Sequence, residues 1–295
     1  MITAAIFPGQ GAEYPGMLDC IRGRREAARI FGRIEEVSGR QMPETAVGDW
    51  LDDHLNAQLA VFGTSVCYWE LLRGTVRFDR MAGHSLGFYA ALCASGALAL
   101  DDCVRVIMEV QTAIEAGSNG TPGGMASVLG LPEPRLEAIC SRVGGVYVAN
   151  VNSATQIVIS GTKQSVSAAS RLALEAGALA VKELPIRHPL HSPLMQGIEE
   201  RLTPFVRTLA VSRPHVPLLS HLDASLLDVD GIRTTLAGQL VRKVAWRQTV
   251  TSLAAAGTGR FFELGPSDTL SKLVRWIERG AESVQAEEVL RCRAA

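Results

Sequence analysis

The segment Gly83-His84-Ser85-Leu86-Gly87 has the G-x-S-x-G spacing of a nucleophile elbow. In such a turn the serine sits between a strand and a helix with its hydroxyl exposed. Glycines two residues to either side let strand and helix approach without a Cβ clash. The N–H of Leu86 is left pointing at a reacting carbonyl, and the helix N-terminus favours a developing oxyanion. A serine hydroxyl needs a base to attack. Two histidines stand together in Arg187-His188-Pro189-Leu190-His191-Ser192-Pro193. A histidine in a proline-flanked loop just after a strand is placed to reach across a cleft. Spacing alone leaves the choice between His188 and His191 open. The plainer alternative is an idle serine in a strand–helix turn beside satisfied loop histidines. The strand before Ser85 and the small-residue helix after it favour the nucleophile.

The elements that would carry these residues alternate short apolar strands with amphipathic helices, the pattern of an α/β layered fold. Thr3–Phe7 reads as the first strand and ends in the turn Pro8-Gly9-Gln10-Gly11. Residues 21–78 read mainly as helix. Arg80–Gly83 reads as a short strand feeding the elbow, and Tyr89-Ala90-Ala91-Leu92 as part of the helix beyond it. Asp101 or Asp102 would cap the next helix, to about Glu115. Residues 117–124 form a glycine-rich break. After it come strand Met125–Leu129, helix Glu133–Val143, strands Val146–Ala149 and Ile157–Ser160, helix Ser165–Ala176 and strand Leu179–Glu183. That β-α-β-β-α-β order is the ferredoxin-like pattern. The expected organisation is therefore a large α/β catalytic domain, 1–123 and 185–295, with a small ferredoxin-like subdomain inserted at 124–184. Leu218–Ser220 and Arg260–Leu264 read as further strands of the large sheet, with a helix starting near Thr269.

With 29 Lys+Arg against 30 Asp+Glu, the net charge of −1 argues against a nucleic-acid partner. No apolar run is long enough to span a bilayer, and the first residues lack the basic start of a signal peptide. A cytoplasmic protein with reduced cysteines is expected. None of the six cysteines forms a C-x-x-C pair, so neither zinc nor a thioredoxin-like centre is indicated. No bound metal or organic cofactor is expected.

An α/β-hydrolase would order its triad Ser, then Asp or Glu, then His. No aspartate occurs between residues 103 and 222, and Asp101 and Asp102 stand too close to the elbow helix. Glu175 and Glu183 remain as acids, and the inserted ferredoxin-like unit does not suit that fold. A better match lies elsewhere. Phe7-Pro8-Gly9-Gln10-Gly11, the elbow with Tyr89-Ala90-Ala91-Leu92, and Asn152-Ser153 with Gln156-Ile157-Val158-Ile159-Ser160-Gly161 recur in order. They are followed by His191-Ser192-Pro193-Leu194-Met195, Gln239-Leu240 with Val244-Ala245-Trp246, and Phe262-Glu263-Leu264-Gly265-Pro266. With these six motifs the chain resembles the malonyl-CoA:acyl-carrier-protein transacylase family over about residues 3–280. The fold so implied is a large α/β-hydrolase-like core with a small ferredoxin-like insertion.

The resemblance implies roles. Ser85 would take the acyl group as an ester and His191 would be its base. His188 would fall on a position that varies with the acyl group. The main-chain carbonyl of Gln239 would orient His191 in place of a triad carboxylate. The N–H groups of Gln10 and Leu86 would form the oxyanion hole, and Asn152 would lie near the cleft between subdomains. The substrates implied are acyl-CoA or phosphopantetheine thioesters, and the partner an acyl carrier protein. Malonyl-specific members carry an arginine 25 residues after the serine; here that position is Val110, followed by Gln111. Without a guanidinium, burying a free carboxylate costs several kcal/mol. Phe88 replaces a usual acidic residue and adds apolar surface near the serine; Glu13 replaces a usual glutamine. The leading expectation is transfer of a neutral, non-malonyl acyl group in polyketide or related biosynthesis. The alternatives are an editing thioester hydrolase of the same fold, an ordinary malonyl transacylase, and a degenerate non-enzymatic partner of a synthase. The intact serine, histidine and Gln239 argue against the last.

Overall fold

The computed structural model describes residues 1–43, 46–117 and 122–294. Residues 118–121 of the glycine-rich break lie outside them. Five strands build a parallel sheet: β1 (Ile2–Phe7), β2 (Arg80–Gly83), β7 (Leu218–Leu219), β8 (Thr258–Glu263) and β9 (Glu282–Gln285). The order is β7-β2-β1-β8-β9, which puts β1 at the centre. Its sequence is almost wholly apolar because both faces are covered by other layers. Alternate residues serve opposite sides: Ala5 and Phe7 enter the larger core, and Ala4 and Ile6 the core around Trp246 and Phe261. Phe7 pairs in register with Gly83, so β1 and β2 end side by side. Loops at the carboxyl ends of parallel strands are where such sheets place their ligands.

The second sheet holds β3 (Gly123–Leu129), β4 (Val146–Val151), β5 (Gln156–Thr162) and β6 (Ala180–Glu183). It is antiparallel, in the order β4-β5-β3-β6. Two helices, Glu133–Val143 and Lys163–Glu175, complete the ferredoxin-like unit. Their apolar stripes, including Leu136, Val166 and Ala169, pack with Val128, Ile157 and Ile159 of the sheet in a separate small core. Two seams tie this unit to the rest. Gly123 N–H donates to the Arg187 carbonyl at 3.1 Å, and Val151 and Val244 link β4 to the segment after Gln239 at 2.8 Å.

Some local expectations shift. The helix predicted to start under an Asp101 or Asp102 cap runs Leu100–Gly117, so both acids lie in its first turn. There they pair with arginines instead: Arg33 donates to Asp101 at 2.7 Å and Arg105 to Asp102 at 2.8 Å. Strand β9 and the helix Ala286–Ala294 were not anticipated. Residues Glu282–Gln285 read as polar and form an edge strand only because β8 offers its open side.

Candidate active site

The elbow is tight enough that its glycines are obligatory. A Cβ on Gly83 would lie 2.2 Å from the Gly87 carbonyl oxygen, and one on Gly87 2.1 Å from that of Phe7. Both would strike main chain, which cannot move aside cheaply. Ser85 itself adopts φ 51°, a left-handed conformation rare for a residue with a side chain. The strain holds its hydroxyl out over the end of the sheet. His191 has φ 55°, so the residue facing Ser85 is held in the same rare region.

Ser85 Oγ and His191 Nε2 are 2.7 Å apart. On the other side of the ring, His191 Nδ1 lies 2.9 Å from the Gln239 carbonyl and 3.2 Å from that of Arg242. Carbonyl oxygens only accept, so Nδ1 carries the proton and Nε2 is left to accept from the Ser85 hydroxyl. Both carbonyls come from the short 3-10 turn Gln239–Val241 and the residue after it. His191 is 3 % exposed. Burial lowers its pKa to about 4, opposed by the bond to Gln239; neighbouring His84 lowers it further. The imidazole is therefore neutral, as a proton acceptor must be.

The first turn packs against the elbow: His84 N–H donates to the Phe7 carbonyl at 2.9 Å, and a Cβ on Gly9 would be 2.6 Å from the His84 carbonyl oxygen. Among the described residues the main-chain N–H groups of Gln10 and Leu86 donate to no protein acceptor. Asn152, at the end of β4, reaches His84 Nε2 with its Oδ1 at 3.0 Å, so the small sheet braces the residue next to Ser85. A cleft of about 1150 Å³ opens between the two units. Of the residues assigned to the site, Gln10 and His188 line it; Ser85 is half-buried. The Gln10 side-chain amide lies 3.2 Å from His54 Nδ1, and His54 also lines the cleft.

The fold thus gathers Ser85, His191, Gln239, Leu86, Gln10 and Asn152 around one point. His188 stands on the cleft wall, and of the two histidines only His191 is within hydrogen-bond distance of Ser85. Phe88 must be corrected: it is fully buried, with its ring 5.2 Å from His221, and adds nothing to the cleft surface. One residue past Gly87 the elbow helix faces inward there, and the core takes the ring. Val110 is 5 % exposed and packs in the main core with Val106 and Ala113. Gln111 is also buried; it accepts from Gln58 at 3.1 Å and donates to Glu115 at 2.8 Å. Three participants had no sequence signal: His54, the Arg242 carbonyl, and Tyr89 as a partner of Gln239. Each earns its place through a contact at long sequence separation.

The sequence profile of the acyl transferase domain matches residues 6–293. The chain belongs to the acyl transferase domain family. A malonyl CoA-acyl carrier protein transacylase of Bacillus subtilis is 32% identical over 299 residues, covering 97% of this chain and 93% of that protein. The solved structure of the malonyl CoA-acyl carrier protein transacylase of Coxiella burnetii is similar with a TM-score of 0.91 and 30% identity, over 99% of this chain and 96% of that one. A malonyl-transacylase solved in complex with its type II polyketide-synthase acyl-carrier protein gives a TM-score of 0.92 at 26% identity, over the full length of both chains. This acyltransferase shares with them the mixed fold of parallel core sheet and small antiparallel sheet. Among its described residues no helix is long and apolar enough to cross a membrane.

Proposed function

We propose that this acyltransferase moves a neutral acyl group between an acyl carrier protein and CoA or a second carrier, through an ester on Ser85. His191 Nε2 accepts the Ser85 proton as Oγ bonds to the thioester carbonyl carbon. The carbonyl electron pair moves onto oxygen, where the unpaired amides of Gln10 and Leu86 can receive it. Collapse expels the thiol, which leaves with the proton held by His191. The second thiol then attacks the acyl-serine by the same steps in reverse. The Gln239 and Arg242 carbonyls stabilise the transient imidazolium as a triad carboxylate would. Carrier-protein substrates are those named for the similar transacylases.

The neutral-acyl part rests on Val110, an apolar core residue 25 residues after Ser85, where the family resemblance implies an arginine in malonyl-specific members. Its neighbour Gln111 is already engaged on both sides, and one of those partners is the carboxylate of Glu115. An arginine would offer a substrate carboxylate two charge-assisted hydrogen bonds, roughly 1.5–3 kcal/mol each. Its absence should lower malonyl loading at least about tenfold relative to acetyl. Intact-mass spectrometry of the protein mixed with acetyl-, longer acyl- and malonyl-CoA tests this. Equal loading of malonyl and acetyl overturns the neutral-acyl reading. Val110→Arg should raise malonyl loading and depress that of long acyl groups. The ordinary malonyl transacylase is the second reading. It is supported by about 30% identity to such enzymes and by Lys163 and Arg187, both exposed cations on the cleft.

A further inference from the structure

We propose that Lys243 is a positioning residue for His191: its ammonium ties the chain beside the Arg242 carbonyl to the small unit and so holds that carbonyl on the His191 ring. The proposal rests on the reading of His191 as the base. Lys243 Nζ donates to the carboxylates of Glu133 and Glu137, the latter at 3.3 Å. Both acids stand on helix Glu133–Val143 of the ferredoxin-like unit, one turn apart on one face. Two carboxylates so placed repel each other, and a cation shared between them removes the repulsion. The Lys243 and Glu133 side chains are 39 % and 30 % exposed, so solvent screens this pair only in part.

What Lys243 holds is the peptide that faces the base. His191 Nδ1 lies 3.2 Å from the Arg242 carbonyl oxygen. Beyond that peptide Val244 is fixed to β4: its N–H donates to the Ala149 carbonyl and its carbonyl accepts from the Val151 N–H, both at 2.8 Å. Before it, the 3-10 turn Gln239–Val241 ends at Arg242, whose N–H reaches the Gln239 carbonyl only at a long 3.3 Å. Between these anchors the Lys243 N–H donates to no protein acceptor among the described residues. The Arg242–Lys243 peptide plane can therefore swing without breaking either anchor, and a swing carries the Arg242 oxygen off His191 Nδ1. The Arg242 side chain does not hold it to the small unit; it pairs with Asp223 of the large one at 3.5 Å. The Lys243 side chain supplies the restraint that the main chain lacks. The small unit thus braces both halves of the dyad: Asn152 holds His84 beside Ser85, and Glu133 and Glu137 hold Lys243 beside a carbonyl that orients His191.

Single-turnover loading of Ser85 from acetyl-CoA and malonyl-CoA, read by intact mass, tests the assignment together with the NMR signal of the His191 Nδ1 proton. Lys243→Met keeps the side-chain stem and loses the charge. It should slow loading roughly threefold to fivefold with KM unchanged, and should move the Nδ1 proton upfield as its bond to Arg242 weakens. Glu133→Gln combined with Glu137→Gln should do the same. Lys243→Met added to that pair should slow loading no further, since all three changes remove one shared interaction. Lys243→Arg keeps the charge and should keep both the rate and the proton position. A wild-type rate or an unmoved Nδ1 proton in Lys243→Met overturns the proposal, and so do additive losses in the triple variant or a rise in KM at unchanged maximal rate. A lower melting temperature with normal loading marks an interface contact only and overturns it as well. Ser85→Ala run beside these separates the two levels. An adduct on Ser85→Ala would defeat the acyl-serine reading itself, while the His191 proton still decides Lys243.

Discussion

Lowering the pH from 7 to 5 should leave acyl loading nearly unchanged, although the base is a histidine. The prediction follows from the burial of His191, which lowers its pKa from 6.5 to about 4. At pH 5 a base of that pKa is about nine-tenths neutral, against about 3 % for an ordinary imidazole. The two cases differ roughly thirtyfold in competent enzyme, well beyond assay error. Single-turnover loading from an acyl-CoA, quenched in acid and read by mass, avoids any contribution from the second thiol. Far-UV circular dichroism at each pH marks the folded window. The same burial links to stability with a definite sign. The folded state binds fewer protons than the unfolded chain between pH 6.5 and about 4. The contribution, on the order of 3 kcal/mol, is complete above pH 6.5 and is lost as pH falls through about 4. Buried His221, also lowered, acts in the same direction. Activity should therefore end on the acid side together with the fold. An acid limb with its midpoint between pH 6 and 7 in protein that is still folded would refute the reasoning.

Three further outcomes are expected. Ser85→Ala should abolish the covalent acyl adduct with no change in circular dichroism, since it removes one half-exposed oxygen. His191→Ala should reduce loading by about two orders of magnitude or more, and His188→Ala far less, because only His191 reaches the Ser85 hydroxyl; the reverse ranking would mean that the base is misassigned. Gly87→Ala forces a Cβ within 2.7 Å of the carbonyl oxygens of both Phe7 and Pro8; thermal denaturation should show a loss of about 3 kcal/mol, together with a displaced oxyanion hole.

Much of this protein was legible in the chain because the relevant signals are local. Strand Arg80–Gly83 and helix Glu133–Val143 follow from apolar runs and punctuation over a few residues, and both form as read. The serine turn declares itself through two glycines whose absent side chains the packing requires. The ferredoxin-like order of the small sheet follows from the alternation of periods along about sixty residues. Other features exist only as meetings between distant segments. Polar Glu282–Gln285 becomes a strand because β8 has a free edge. Phe88 reads as cleft surface in sequence and is core in space, since the direction of a helix face is set by what packs on it. Residues 188 and 191 are both histidines in one loop, and spacing cannot rank them. What ranks them is a 2.7 Å approach to Ser85 and a carbonyl 48 residues further on. Only the family resemblance pointed to the Gln239 carbonyl; a main-chain carbonyl has no residue type through which composition or spacing could show it.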